Sequence, residues 1–404
     1  MSSFMLGNTI SLYKQAYAGL SRNTWCLAIV LFINRSGTMV IPFLLPYMID
    51  GLHFDAGMAG LIMAVFGIGA VMGAYIGGYL SDKLGFCPIQ FISLILNGLI
   101  FVAMGFMKTP LSLGITIFLL SLAGEAFRPA NSAAIAHYSS PENRTRSYAI
   151  HRLAVNLGWG IGPALGGFLA DINYQLLFWV DGITCIAAAI VMRILLPVAK
   201  AGKPSELHSK SSLEKSKSAY KDKQYLFFIL LVAAHAFCFF QMNSTVPVFY
   251  IQKLGMTKTQ IGLVMALNGI IIALFELVLV YKLENKKNNV FYIGLGVLLT
   301  GVSFLFFNIF PYSILLAIAA ISVITLGEML SMPFMNSYWI ALSNKQNRGQ
   351  YAALYTMAFS FAQIFSPLIG TQLMKNFGFS FLWYVIAAIC FVTFLGVRLL
   401  RKWE

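Results

Sequence analysis

Charged residues are scarce in this chain of 404 residues: Asp, Glu, Lys and Arg together make up 10% of it, whereas 59% is hydrophobic. Soluble proteins carry about 25% charged residues, so this composition excludes an ordinary soluble globular fold. Apolar runs of about twenty residues, the length that crosses a bilayer as a helix, alternate with short polar segments along the chain. The sequence therefore predicts an all-α polytopic membrane protein.

Motifs of enzymatic chemistry are also missing. The sequence has no Gly-Lys-Thr loop for phosphate and no nucleophile elbow, which argues against ATP hydrolysis and acyl transfer. Its five cysteines are an odd number in or beside apolar segments and lack metal-ligand spacing, so they are interpreted as packing residues. We expect no enzymatic activity, no cofactor and no metal.

Apolar windows predict twelve membrane-spanning helices. The first follows a polar segment and has no small-residue cleavage site, so we interpret it as a retained helix and not as a signal peptide. The predicted spans cover residues 24–48, 57–80, 88–107, 111–137, 147–170, 175–196, 225–249, 259–281, 290–309, 312–341, 350–374 and 378–399.

The positive charges predict the orientation of these spans. Of the 28 Lys and Arg residues, twenty lie in the two terminal segments and the alternate joints on one side, and four arginines lie within apolar segments. The joints on the other side hold only Lys108, Lys253, Lys258 and Lys375. By the positive-inside rule both termini are cytoplasmic, in a bacterial-type plasma membrane. The net charge of +14 is thus explained by loops beside anionic lipid, and we expect no nucleic-acid partner.

A polar segment divides the chain into two halves. Residues 197–224 hold seven lysines and three acids and predict a cytoplasmic linker. Around it we predict a cytoplasmic N-terminal segment (1–23), two six-helix bundles (24–196 and 225–399) and a cytoplasmic tail (400–404).

The two halves are related in sequence by an offset of 204 residues. That offset superposes five pairs of identical residues: Asn143 and Asn347, Arg144 and Arg348, Pro163 and Pro367, Gly166 and Gly370, Trp179 and Trp383. Internal repeats of this size predict two pseudo-symmetric bundles, an architecture of secondary transporters whose substrate site lies between the halves at the membrane midplane.

Two motifs carry a resemblance to a known family. Residues 78–85, GYLSDKLG, follow the second span and resemble the signature loop of the major facilitator superfamily, although Phe86 and Cys87 replace two basic residues of its pattern. Residues 158–167, GWGIGPALGG, resemble the antiporter motif of its drug:proton exporters, although Ala149 replaces an earlier glycine and Ile117 replaces an arginine. The motif residues with predicted gating roles are Gly78, Asp82, Lys83, Gly85, Gly158, Gly162, Pro163, Gly166 and Gly167. The same glycines are also compatible with plain close packing of helices.

Charges inside the predicted spans are the candidate coupling residues. Glu125 and Arg128 share one face of the fourth span, Arg35 lies halfway along the first, and Glu328 lies in the tenth. The resemblance implies that spans one, four, seven and ten line a central cavity, which would bring these four residues toward a common space. Glu328 is expected either to pair across the halves with Arg35 or Arg128 or to bind a proton reversibly, and both make it the first coupling candidate, with Glu125 the second. For Arg35 and Glu125, a permanent pair within the first bundle is the alternative.

Other residues receive weaker predictions. His235 is a possible proton relay, with simple packing as the alternative. Asp181 and Glu276 are expected to be structural, and His151 and Arg152 are expected to reach the headgroups. The candidate residues of a substrate cavity are Asn34, Thr38, Asn131, His235, Gln241, Asn243, Met332 and Trp339.

The spans, the internal repeat, the two motifs and the charges inside the spans together predict a secondary active transporter that works by alternating access. The favoured function is proton-coupled antiport that expels a small amphipathic or drug-like compound, with protons, that compound and the lipid bilayer as partners of a monomer. The alternative is proton-coupled uptake of a peptide, an organic anion or another metabolite. A receptor or scaffold without transport is the remote alternative.

Overall fold

The computed structural model describes residues 19–140, 144–196, 218–283, 286–343 and 348–401. Residues 1–18, most of the predicted linker (197–217) and residues 402–404 lie outside the described part of the chain. The side chains of Asp82 and Ala149 are also outside it, as are those of Arg144 and Arg348. Within the described ranges the chain is all-helical and has no strand, as the composition predicts.

The first half of the chain contains six apolar spans. Span 1 is Arg22–Gly51 and comprises two helices, Arg22–Ser36 and Val40–Pro46, followed by a π-helical turn, Tyr47–Gly51. Spans 2 to 6 are the helices Ala56–Leu84, Phe86–Met104, Pro110–Tyr138, Arg144–Ile172 and Tyr174–Leu195.

The second half repeats this pattern. Span 7 comprises Lys223–Phe239, a 3₁₀ turn at Phe240–Asn243 and Thr245–Gln252. Spans 8 to 10 are Lys258–Leu283, Asn289–Ile309 and Ile314–Leu342. The stretch Arg348–Leu400 contains spans 11 and 12, because Gly378 interrupts the helix with φ 82° and ψ 172°, a conformation that favours glycine. The described residues thus form eleven apolar stretches long enough to cross a membrane, and the last of them holds two spans.

Polar residues at the helix ends set these boundaries. The side chain of Asp55 accepts a hydrogen bond from the backbone N–H of Gly57 at 3.0 Å at the start of span 2. Thr109 and Ser112 form a reciprocal capping box at the start of span 4. Side-chain oxygens of Asn173, Asp222, Asn288 and Ser313 cap four further spans in the same way.

The two halves meet along two pairs of spans. Span 5 packs against span 8, and span 2 packs against span 11. In the first contact Gly262 faces the backbone carbonyl of Pro163; in the second, Gly60 faces the carbonyl of Pro367. The two prolines are separated by the 204-residue offset of the sequence repeat. Each contact therefore pairs a proline carbonyl with a glycine, and both are related by the internal pseudo-symmetry.

Spans 1 and 7 are both interrupted near the middle. The interruption at Gly37–Met39 and the one at Phe240–Ser244 fall about one repeat apart. The carboxylate of Asp181, which is fully buried in span 6, accepts hydrogen bonds from the backbone N–H groups of Met39 (3.1 Å) and Val40 (3.0 Å). Asp181 thus has the structural role expected for it, since it satisfies donors that the helix leaves free.

Candidate functional site

A small cavity with both polar and apolar walls lies inside the first half, beside the interruption of span 1. Its volume is about 70 Å³, and all of its lining residues come from spans 1, 2, 3, 4 and 6. Arg35, Asn34 and Thr38 line it from span 1, and Glu125 lines it from span 4. We call it the first-half cavity. Four predicted site residues therefore surround a space within one bundle, whereas the sequence had placed them toward a space between the halves.

The charges at the first-half cavity are unevenly paired. Glu125 Oε2 lies 3.0 Å from Arg128 Nη1, and this pair joins residues one turn apart on span 4. Arg35 is within electrostatic range of both, but among the described residues no carboxylate lies within ion-pair distance of its guanidinium. Arg128 has 64% of its side chain exposed, against 19% for Glu125.

A second charged site joins the two halves. Arg152 of span 5 forms an ion pair with Glu276 of span 8. The Arg152 side chain is 52% exposed, whereas that of Glu276 is only 10% exposed. Arg152 therefore pairs with a carboxylate instead of reaching the headgroups, and Glu276, expected to be structural, is its partner. We call this pair the inter-half link.

Glu328 lies beside the inter-half link. Its Oε2 accepts a hydrogen bond of 2.9 Å from the amide of Asn268 in span 8, and the same amide donates to the hydroxyl of Thr325 at 3.0 Å. The arginine within electrostatic range of Glu328 is Arg152. The carboxylate is therefore near an arginine of the opposite half, but the arginine differs from the two that the sequence had favoured.

Sequence reasoning missed Arg152 and Asn268 as members of this site. Asn268 lies well inside span 8, whereas Arg152 lies close to the start of the apolar part of span 5 at Ile150, so the polar side chain of Asn268 was the clearer signal. The sequence does not show that span 5 packs against span 8, which is the contact that brings these residues together. Without that contact, nothing in the sequence pairs Arg152 with Glu276 across 124 residues.

The polar residues predicted in span 7 serve the packing of the second half. His235 is fully buried, with its Nε2 3.2 Å from the hydroxyl of Ser331 in span 10. Gln241 is also fully buried and donates to the carbonyl of Ser366 at 3.1 Å. Asn243 is half-buried at the end of the 3₁₀ turn. The packing alternative for His235 thus agrees with this geometry.

The remaining cavity candidates lie in two places. Asn131 is buried and accepts a hydrogen bond of 3.2 Å from Gln90, which links spans 3 and 4 inside the first half. Met332 and Trp339 of span 10 are half-buried against the main hydrophobic core. The Trp339 ring lies 6.0 Å from that of Tyr355, between centroids, and Tyr355 is within electrostatic range of Arg152. Aromatic surface therefore adjoins the inter-half link.

The glycine-rich motif of span 5 packs on two sides. Gly158, Gly162 and Gly166 contact span 1 between Arg35 and Met39, where a side chain would collide with the backbone or Cβ of span 1. Pro163 and Gly167 face span 8 instead. The motif thus brings the first-half cavity and the contact between halves close together.

The loop after span 2 has one conformational requirement. Gly85 adopts φ 86°, which favours glycine. The ammonium group of Lys83 lies 4.4 Å from the ring centroid of Tyr79. Gly78 makes no close packing contact, and the side chain of Asp82, the predicted latch, lies outside the described residues.

The halves are also joined at the end that carries the loops after spans 1, 5 and 7. Asp55 forms an ion pair of 2.8 Å with Lys375, and Asp171 accepts hydrogen bonds from the backbone N–H groups of Lys258 and Thr259 at 2.9 and 2.8 Å. Gln252 donates to Asp50 at 3.4 Å. We call these contacts the outer clasp, because the predicted orientation places them on the external side.

The pKa of Asp55 is lowered by its hydrogen bond to Lys375, with the lysine charge and backbone N–H groups adding to the effect. Because this carboxyl group lies in the loop between spans 1 and 2, it stays ionised at neutral pH and keeps its lysine partner.

Two packed halves with paired helix interruptions and charges inside the membrane define a polytopic membrane transporter. The family model described as Major Facilitator Superfamily matches residues 27–358 and 290–403. The chain therefore belongs to the major facilitator superfamily, a family of transporters and not of enzymes.

Curated relatives are similar to this chain over most of their length. A Na(+), Li(+), K(+)/H(+) antiporter of Planococcus maritimus is 23% identical over 88% of this chain and 90% of its own. Multidrug resistance protein 1 of Bacillus subtilis is 23% identical over 93% of this chain and 94% of its own. These relatives are bacterial transporters.

Solved structures show the same fold. A POT family transporter in complex with 5-aminolevulinic acid superposes with a TM-score of 0.82 at 17% identity, covering 95% of this chain and 96% of that one. The nucleoside transporter NupG superposes with a TM-score of 0.71 at 16% identity, covering 95% and 100%. The predicted fold class is confirmed.

Proposed function

We propose that this transporter exchanges protons for a small amphipathic compound and exports that compound from a bacterial cell. The observation that carries the proposal is the inter-half link with Glu328 beside it. The two bacterial relatives, a cation/proton antiporter and a multidrug resistance protein, support the exchange and the substrate class.

The charge of this site favours exchange. Arg152 contributes one positive charge, and Glu276 and Glu328 contribute two negative charges, so the three sum to −1 when all are ionised. One proton neutralises the site, and so does one cationic group of a substrate. Because burial makes a net charge costly, the two ligands compete, and competition for one site couples their movement in opposite directions.

Proton binding would also change the contact between halves. Arg152 lies in span 5, whereas both carboxylates lie in the second half. Protonation of Glu328, our first candidate, weakens the attraction between Arg152 and the second half and so favours separation of spans 5 and 8. Glu125 is the second candidate, because Arg128 already neutralises it.

The aromatic surface beside the link fits an amphipathic cation. The ring of Tyr355 lies within range of Arg152, and Trp339 packs against Tyr355 with 6.0 Å between ring centroids; aromatic faces attract cationic groups. Met332 adds a flexible apolar surface in the same span as Glu328.

The test is proton flux in everted membrane vesicles with an acid lumen, followed with a pH-sensitive dye. The panel contains lipophilic cations, neutral amphipathic compounds, Na⁺, Li⁺, K⁺, peptides and organic anions. Wild type, Glu328→Gln and the matched control Ser322→Ala, a neighbour on span 10, are compared at equal expression. We expect at least one amphipathic cation to dissipate the gradient with wild type and Ser322→Ala, and none with Glu328→Gln.

Three results would contradict the proposal. Uptake of a peptide or organic anion with protons in right-side-out vesicles, without exchange in everted ones, would establish symport. Dissipation by Na⁺, Li⁺ or K⁺ alone would make the protein a cation/proton antiporter. No flux with any compound in either orientation would favour a receptor or scaffold.

A further inference from the structure

Arg35 is a half-buried cation that forms no ion pair with a described carboxylate. It lines the first-half cavity, and its Nε is buried without a hydrogen-bond partner. The neighbouring carboxylate, Glu125, is engaged by Arg128 at 3.0 Å. Asp181, the buried acid of span 6, is engaged by the backbone of Met39 and Val40.

The charge at this cavity is opposite in sign to that of the inter-half link. Arg35 and Arg128 contribute two positive charges and Glu125 one negative charge, so the sum is +1. Arg128 does not line the cavity and 64% of its side chain is exposed, so solvent screens part of this charge. Arg35 does line it and shares the one lining carboxylate, Glu125, with Arg128, so an anion beside Arg35 would compensate its charge. A monovalent anion would bring the sum to zero, whereas a divalent anion would leave an excess of negative charge.

The size and the walls of the cavity limit what fits. Its volume is about 70 Å³, well below the roughly 300–1,000 Å³ of pockets that hold drug-sized ligands. Ser93 and Thr38 are buried and present hydroxyl groups in its wall, and Asn34 presents an amide. These donors and the guanidinium of Arg35 suit a small anion.

We infer that the first-half cavity binds one small inorganic monovalent anion, such as chloride, against Arg35. Every lining residue belongs to the first half, so the anion remains in place when the halves move relative to one another. It is a second site, separate from the inter-half link, and its role is to compensate Arg35 within the first bundle.

The test uses the purified full-length protein in detergent. Chloride replaces gluconate at constant ionic strength while the thermal midpoint Tm is recorded, and nitrate, sulfate, formate and acetate are compared. We expect a saturable rise in Tm with chloride and with nitrate, and no rise with sulfate. Arg35→Gln is expected to weaken chloride binding at least about tenfold, since a lost charge-assisted hydrogen bond has that effect.

Matched variants separate binding from folding. Arg193→Gln removes an exposed arginine of the same half and should keep the wild-type chloride response. Ser93→Ala leaves Arg35 intact and should weaken the response without abolishing it, which keeps the test decisive if Arg35→Gln fails to fold. In crystals grown with bromide, we expect an anomalous peak beside the Arg35 guanidinium.

Several results would overturn the inference. A chloride response that is absent from wild type, or unchanged in both Arg35→Gln and Ser93→Ala, would exclude the site. A rise in Tm with formate and acetate but not with chloride or nitrate would assign the cavity to a carboxylate group of a substrate. Because this assay measures binding without a proton gradient, its outcome is independent of the proposed proton exchange.

Discussion

At the scale of single residues, the charges inside the membrane form two sets of opposite sign. Arg35, Arg128 and Glu125 sum to +1 in the first half, and the inter-half link with Glu328 sums to −1. The first set lies within one bundle, so its charge does not depend on how the halves are arranged. The second set joins the bundles, so its energy changes when they move, which is the property required of a coupling site.

The inter-half link makes a residue-scale prediction. Arg152→Gln and Glu276→Gln each remove one partner, whereas the exchanged pair Arg152→Glu with Glu276→Arg keeps both charges. We expect a coupling energy of about 1 kcal/mol in a double-mutant cycle of thermal stability, because Arg152 is half-exposed and solvent screens the pair.

The control for this cycle is the pair of Glu276 with Arg193, which lies elsewhere in the first half. Additive effects of Arg152→Gln and Glu276→Gln would show that the two side chains do not interact in the protein. If the exchanged pair recovers stability but not transport, function requires the positive charge on span 5 and the negative charge on span 8.

At the scale of elements, glycines determine how closely the two halves approach. Gly262 on span 8 and Gly60 on span 2 each face a proline carbonyl, and Gly167 faces the backbone at the start of span 8. These contacts leave no room for a side chain. The spans that join the halves are therefore held at a distance set by backbone atoms.

This packing predicts opposite effects for two glycine-to-alanine substitutions. Gly262→Ala should destabilise the protein by about 1–3 kcal/mol, since the new methyl group collides with the Pro163 carbonyl. Gly114→Ala, in span 4, should stabilise it by up to about 1 kcal/mol, because nothing lies within 4 Å of the new methyl group and alanine favours a helix. Thermal unfolding of the two variants beside wild type measures both effects, and equal shifts would contradict the packing argument.

At the scale of the whole molecule, the halves are joined at the outer clasp, along spans 5 and 8 and along spans 2 and 11. Each contact of the clasp sets an aspartate of the first half against a donor of the second: Asp50, Asp55 and Asp171 face Gln252, Lys375 and the start of span 8. With the predicted orientation, these contacts hold the two halves together on the external side.

The Asp55–Lys375 ion pair of the outer clasp predicts how the contact between the halves responds to pH. Because Lys375 lowers the pKa of Asp55, the ion pair is complete above the usual carboxyl pKa of about 3.9 and is lost only as the pH falls through the lowered value. We expect the distance between spin labels at His53→Cys and Leu254→Cys to be the same at pH 8 and pH 5, in a background without native cysteines. Asp55→Asn should lengthen it at both values. A distance that grows at pH 5 with Asp55 intact would contradict this account.

Much of the architecture could be predicted from residue patterns. The predicted bounds of spans 3 and 9, residues 88–107 and 290–309, agree with the helices Phe86–Met104 and Asn289–Ile309 to within three residues, since the apolar length of a span is a local property. The 204-residue offset also aligned Pro163 with Pro367, and the structure then showed that each carbonyl faces a glycine of the other half. The interruptions of spans 1 and 7 were not predicted, because their stabilising partners, Asp181 and Ser366, are distant in the chain.

The sequence by itself determined the membrane class, the number of spans, the duplicated halves and the family, because these depend on local hydrophobicity and on repeated motifs. Only the tertiary structure decided which charges meet. It placed Arg35 and Glu125 at a cavity within one bundle and paired Arg152 with Glu276 between bundles. The physical reason is range: hydrophobic length acts along a single helix, whereas the pairing of buried charges depends on which faces of distant helices pack together.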